Sequence, residues 1–259
     1  MRGLEERLGI RLLMRTTRSV SPTNAGERLI RTIGPCFEDI QSELTALNEL
    51  RDKPAGTIRL SSSSHAADYI LIPKLQPFLK EYPDIQVEIN VDNGLTDIVS
   101  ERFDAGVRLG ERVAKDMIAT CIGPNMRMVV VAAPDYFEHY SQPKDPHELT
   151  EHNCINFRFP THGGLYMWEF EKKGHAMNVS TEGQLIVNNT QQQINATLAG
   201  VGLGFVPEDM VEEYIKSGQL IQVLDDWCPY FPGFHLYYPN RRQPSPAFSL
   251  LLEALRSSS

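Results

Sequence analysis

The sequence predicts a mixed α/β protein with a short basic segment, a long helix, and behind them two lobes of alternating strands and helices. Three observations carry this prediction. Charge is uneven, since residues 1 to 31 hold seven arginines (2, 7, 11, 15, 18, 28 and 31) against Glu5, Glu6 and Glu27 in a 259-residue chain of formal net charge −8. Between Thr23 and Arg51 apolar residues recur by threes and fours, the spacing of a stripe along one helix. From Thr57 onward, β-branched runs alternate with helix-period runs in two successive series.

Composition excludes several classes. With 41% apolar content the chain is long enough for one large or two medium cores. No apolar run approaches the roughly 18 residues that cross a bilayer, and Arg2, Glu5, Glu6 and Arg7 stand where a signal peptide would be apolar. Cys36, Cys121, Cys154 and Cys228 are far apart and form no CxxC pair, so reduced thiols are expected rather than a zinc site or a disulfide framework. A cytoplasmic protein without metal or cofactor is the expectation.

Taken in order, "LEERLGIRLL" (4–13) reads as the end of an amphipathic helix stopped at Gly9. "RTTRSVSPT" (15–23) reads as a short ribbon, and Thr23 as the N-cap of a new helix. That helix carries Ala25, Leu29, Ile33, Phe37, Ile40, Leu44 and Leu47 on a coiled-coil-like seam, and Gly34-Pro35 predicts a kink or break in it. The polar "RDKPAG" after it is a hinge. The first series then runs "TIRLSSS", a strand; "YILIPKLQPFLKEY", a helix; "IQVEINV", a strand with Ile85, Val87, Ile89 and Val91 on one face; "LTDIVSER", a helix; and "FDAGVRLG", a strand. The second begins at "MRMVVVAAPDYFEHY" and passes through "NCINFRF", "MWEFEKKGHAMNV", "GQLIVN" and the helix "TQQQINATLAG" to "VGLGFVPEDMVEEYIKSGQLIQVL". A basic end on an acidic body suits contact with nucleic acid, because cationic side chains displace counterions from phosphate, although solvated surface arginines would look the same by charge alone.

Residue order adds to this. Leu4, Glu5, Glu6, Leu8 and Gly9, then Arg15, Thr16, Thr17 and Arg18, then Thr23, Ala25, Gly26 and Glu27 together resemble the back half of the winged helix-turn-helix of LysR-type transcriptional regulators. "FDAGVRLG", "PDYFEHYSQPKDPHELTEHNCINFRF" and "LAGVGLGFVPEDMV" resemble that family's effector-binding domain, and the resemblance spans residues 2 to 256. It implies the two-lobed fold of periplasmic binding proteins. It also implies a wing remnant over 1–22, a dimerising linker helix over 23–51 and an effector domain over 57–259. Within that domain lobe one would take 57–127 plus 229–259, and lobe two 128–228. Family members carry roughly two helices and the base-reading part of a third before this point. The resemblance therefore implies a DNA-binding domain lacking its front, with weak, salt-sensitive, nonspecific DNA contact through Arg15, Thr17 and Arg18. The dimerisation seam would be Leu29, Ile33, Phe37, Ile40, Leu44 and Leu47, in a homodimer or homotetramer.

Candidate site residues cluster at "SSSSHAADY" (61–69), where a strand delivers hydroxyls to a helix start. Ser62, Ser63, Ser64 and His65 could hold an anion, typically a carboxylate, or the serines could simply cap the helix. Arg108 could grip a carboxylate bidentately or serve a structural salt bridge. The resemblance turns two further strand ends, Phe159-Pro160-Thr161 and Phe205-Val206-Pro207, toward the cleft. Gly200, Gly202 and Gly204 follow a helix and enter a strand, the reverse of a dinucleotide-binding turn, so cofactor binding is not expected. His147, His152 and Cys154 lack the partners of a zinc site. The implied function is transcriptional regulation controlled by a small organic effector, with no catalysis. An alternative is a protein that binds effector or sequesters intact regulators through the linker helix; a hydrolase built on Ser61 to His65 with Asp68 comes third, lacking a GxSxG elbow.

Overall fold

The structure, a computed structural model, describes residues 2–15, 20–47, 54–94, 97–110, 117–159, 164–240 and 244–256. Helix α1 (Arg2–Leu8) ends at Gly9, whose φ of +66° suits glycine. Glu5 turns back over this end, its Oε1 accepting from the N–H groups of Leu12 (2.7 Å) and Leu13 (3.0 Å). Strands β1 (Leu13–Arg15) and β2 (Val20–Pro22) pair antiparallel, forming a small wing. Thr23 then joins wing to helix: its N–H donates to the Leu12 carbonyl, its hydroxyl donates to the Arg11 carbonyl at 2.7 Å, and its Oγ1 accepts from Gly26 N–H at 3.2 Å.

Helix α2 (Asn24–Leu47) follows, 24 residues long. It is not broken at Gly34-Pro35; Pro35 lies inside it and cannot donate the helical hydrogen bond at that position.

Lobe one is a five-stranded sheet. Strand β3 (Gly56–Ser62) runs into helix α3 (Ser64–Ala66), a π-helical turn (Ala67–Leu71) and helix α4 (Ile72–Glu81). Strand β4 (Ile85–Val91) returns parallel to β3 at the sheet edge, and β5 (Ala105–Leu109) lies parallel on its other side. The helix expected over "LTDIVSER" does not form among the described residues. Asp97 Oδ1 accepts from Val99 and Ser100 N–H, and the turn closes at Arg102 with φ +60°, so a single capped turn replaces it. Strand β6 (Met117–Cys121) completes this part of lobe one.

The chain then enters lobe two. There β7 (Met128–Ala132) is followed by the short helix α5 (Pro134–Phe137), a 3₁₀ turn (Pro146–Glu151), β8 (Asn156–Phe157), the hairpin of β9 (Trp168–Lys172) and β10 (His175–Val179), and β11 (Ile186–Val187). Helix α6 (Thr190–Leu198) ends at Gly200 with φ +74°, and β12 (Gly204–Pro207) runs into a 3₁₀ turn (Glu208–Met210), helix α7 (Glu212–Lys216) and β13 (Ile221–Val223). The sheet order is β12-β7-β13, with β7 antiparallel to both neighbours.

Finally β14 (Phe234–Pro239) inserts between β5 and β6, giving the order β4-β3-β5-β14-β6, and helix α8 (Pro246–Arg256) covers the sheet. The chain thus crosses between lobes twice, and the crossings bond each other: Met126 and Phe231 exchange N–H···O bonds of 3.0 and 2.9 Å, and Ile122 N–H donates to the Phe234 carbonyl. Lobe one's core gathers Ile58, Leu60, Leu71, Phe78, Val107, Leu236 and Leu251; lobe two is packed on both faces of its sheet, around Trp168 and Phe205 on one and Val131, Ile194 and Val206 on the other. Among the described residues no helix is long and apolar enough to cross a membrane, and no group of three His, Cys, Asp or Glu could hold a metal ion.

Candidate functional site

A cleft of about 470 Å³ opens between the lobes, lined by Ser64, His65, Asp68 and Tyr69 from lobe one and by Asn189, Thr190, Gln191 and Met210 from lobe two. Its position follows from topology, because the carboxyl end of the parallel strand β3 delivers one wall. Ser63 caps α3, its Oγ accepting from Ala66 N–H at 3.3 Å, while Ser62 Oγ donates to the Ser63 carbonyl. Ser64 bonds Asn93 Oδ1 through its N–H at 3.1 Å. The π-helical turn that follows widens the backbone where Asp68 and Tyr69 meet the cleft. Burial first, then the fields of Asp209 and Asp68, raises the Tyr69 phenol above its ordinary value, so it stands in the cleft as a neutral hydroxyl.

The opposite wall repeats the device. Asn189 caps α6 by accepting from Gln192 N–H at 3.2 Å, and the first turn of α6 faces the cleft. The cleft has one direct bridge among the described residues: His65 Nε2 lies 2.7 Å from Asp209 Oδ2. His65 is only 8% exposed, held edge-on by Tyr69 and Phe234 at ring distances of 5.1 and 5.3 Å.

The sequence candidates separate here. Ser64 and His65 line the cleft; Ser62 and Ser63 lie beneath it and are spent on the turn. Arg108 does not face the cleft as an open fork. It is 5% exposed, and its guanidinium donates to the carbonyls of Val107, Asp92 and Gly94 and to Ser61 Oγ, tying three segments of lobe one together. Phe205 and Val206 also depart from the expectation: β12 is covered on both faces, so Phe205 stacks on Trp168 at 5.2 Å and Val206 packs with Val129 and Ile194. Pro207 ends that strand, also buried. Phe159 packs edge-on against Phe157 and Tyr166, and Pro160 and Thr161 lie outside the described residues.

For the hydrolase reading, no described hydrogen bond joins a serine hydroxyl to His65, whose ring instead meets a carboxylate from the other lobe. Burial pushes the Cys154 and Cys228 thiols up to about 12, which removes them as nucleophiles.

Asn189, Thr190, Gln191, Asp209 and Met210 were missed. The signal for the first three was present: "NNTQQQ" follows a strand and starts a helix, as "SSSSHA" does. A larger groove of about 580 Å³ lies between α4 and α8, outside the cleft, and its lysine Lys74 is bound to the carbonyls of Ile122 and Leu255.

The wing residues are partly described. Arg15 ends β1 opposite Val20, while Thr17 and Arg18 lie outside the described residues. On α2, Ile33 and Ile40 are 39% and 55% exposed and Leu29 is half-buried; the side chains of Phe37, Leu44 and Leu47 are outside the description.

The profile of the LysR substrate binding domain matches residues 51–259. A putative transcriptional regulator of Pseudomonas aeruginosa is 55% identical over 254 residues, which cover 98% of this chain and 83% of that protein. The HTH-type transcriptional regulator PgrR of Escherichia coli is 48% identical over 256 residues, covering 99% and 86%. The full-length structure of the Vibrio cholerae virulence activator AphB, described as a member of the LTTR protein family, matches with a TM-score of 0.72 at 27% identity, over 98% of this chain and 86% of that one.

Proposed function

The chain belongs to the LysR-type transcriptional regulators and carries their effector-binding domain, and on that premise we propose that a small organic acid entering the interlobe cleft controls how the protein holds DNA. The observation that carries this is the cleft itself, a cavity walled by both lobes, with the Ser64 hydroxyl and Tyr69 phenol from lobe one and the Thr190 hydroxyl and the Asn189 and Gln191 amides from lobe two. Ser64 and the first turn of α6 favour a carboxylate, the former by hydroxyl and the latter by its dipole. A ligand that touches both walls binds one lobe arrangement better than another, and that difference is the free energy available for regulation.

On this reading the protein works in the cytoplasm as a homodimer or homotetramer. The exposed stripe of Ile33 and Ile40 on α2 supports pairing through that helix. The wing contacts phosphate through Arg15, Thr17 and Arg18, which positions the protein without reading bases, so binding through the wing is nonspecific and weakens with salt.

Thr190→Trp tests the central step, because the indole fills the cleft from the α6 side. In the source cell, a reporter under the regulator should lose its response to changing metabolite supply while chromatin immunoprecipitation still finds the variant on DNA. A reporter that responds as with the wild type would sink the cleft reading.

A further inference from the structure

We infer that the His65–Asp209 pair is a latch that holds the two lobes closed about the cleft before any effector arrives. The two atoms belong to different lobes, 144 positions apart in sequence, and meet at 2.7 Å across the cavity. Lobe opening must separate them.

Both ends of the latch are fixed to rigid parts. His65 is buried between the Tyr69 and Phe234 rings, so it cannot follow a retreating partner by changing rotamer without giving up those contacts. Asp209 sits on the 3₁₀ turn that follows β12, and the residue before it, Glu208, is gripped by Arg127 on the crossing into lobe two: Arg127 Nε donates to Glu208 Oε2 at 2.8 Å and Nη2 to Oε1. The second crossing is tied to the same point. Tyr230 lies under the Arg127 guanidinium at 5.0 Å and its hydroxyl donates to Glu208 at 3.3 Å, while Arg127 Nη1 reaches Asp225 at 2.9 Å. The carboxylate end of the latch therefore follows directly on Glu208, a residue tied to both crossings. The hydrogen bond between Arg127 and Glu208 holds Glu208 below the usual carboxylate range and keeps the arginine charged, so this mount persists through neutral pH.

The consequence is a closed state favoured without ligand. Asp209 is 45% exposed at its side chain, so the pair is worth what a partly screened charge-assisted bond is worth, and its loss shifts the closed-to-open ratio roughly fivefold toward open. The other charged or titratable groups lining the cavity, Asp68 and Tyr69, share His65's own segment, and Tyr69 feels the Asp209 carboxylate from there, so His65 and Tyr69 both face it.

The test is an interlobe distance distribution by paired spin labels on the whole chain. Cys121 supplies an exposed thiol on lobe one, Lys144→Cys supplies one on lobe two, and Cys36→Ser removes the other exposed thiol. Asp209→Asn and His65→Gln should each add a longer-distance population, the double variant should equal either single one, and the exchange of His65→Asp with Asp209→His should restore the short distance. Asp209→Asn, at a half-exposed position, keeps the test valid even where His65→Gln disturbs the core. Unchanged distances in Asp209→Asn, or additive effects of the two substitutions, would overturn the latch.

Discussion

Arg108 carries a full charge at 5% exposure, and four described hydrogen bonds to three carbonyls and a serine hydroxyl compensate it. Arg108→Met should cost about 2–4 kcal/mol, because the loss leaves those acceptors without their donor, and urea unfolding read by tryptophan fluorescence would show it as a lowered midpoint. From sequence, a bidentate carboxylate grip and a structural tie looked alike, since an arginine at a strand end supports both; only the path of the chain around it decides. His152 offers a pH signature. Burial lowers its pKa, and its Nδ1 meets the Tyr136 hydroxyl at 3.1 Å, while Tyr136 accepts from Asn153 N–H. A histidine lowered on folding binds fewer protons in the native state than in the unfolded one, so stability falls as pH drops from about 7 through the ordinary histidine value near 6.5. Denaturation midpoints at stepped pH should decline over that window in the wild type and decline less in His152→Gln. Ser64 and His65 were legible because a serine run before a helix start is a local signal. Asp209, the partner of His65 across the cleft, was not, because nothing local in "VPEDM" marks a contact with a residue so far back in the chain.

The elements follow local chemistry where it is strong. Glu5 and Gly26, read from sequence as part of a resemblance, acquire physical roles, and Thr23 takes the N-cap role that its position had suggested. Glu5 caps the N–H groups that open β1, Thr23 caps α2, and Gly26 lets α2 approach the wing so closely that a Cβ there would lie 2.1 Å from the Leu12 carbonyl oxygen. Gly26→Ala must push helix and wing apart, with an expected cost of about 1–3 kcal/mol. Limited proteolysis should then cut near the wing faster than in the wild type while the effector lobes resist as before. Two elements differ from what the sequence suggested. "LTDIVSER" has helical spacing but only about two turns' length, and Asp97 Oδ1 accepts from the Val99 and Ser100 amides locally, so the described part turns instead. Of the kink or break expected at Pro35, the break does not occur, and the helix runs through it. Further along, the exposed Ile33 and Ile40 make α2 the proposed dimer seam; Ile33→Glu with Ile40→Glu should shift the sedimentation coefficient toward monomer, and an unchanged oligomer would place the interface elsewhere.

At the scale of the whole molecule, the two series of strands and helices were legible because hydrophobic period changes at each boundary. The return of β14 into the first sheet was not, as no local pattern tells a strand which sheet it joins; only the resemblance pointed to it. That return makes the crossings a bonded pair between lobes, and on the proposed function these paired segments are what a ligand in the cleft would work against. The most direct measurement is native mass spectrometry of the protein equilibrated with a small-molecule extract of its source cell, run in parallel with Gln191→Trp, whose side chain fills the cleft. The account predicts one discrete small-molecule adduct on the wild type that the variant lacks. An adduct retained by the variant, or none on either protein, would contradict it.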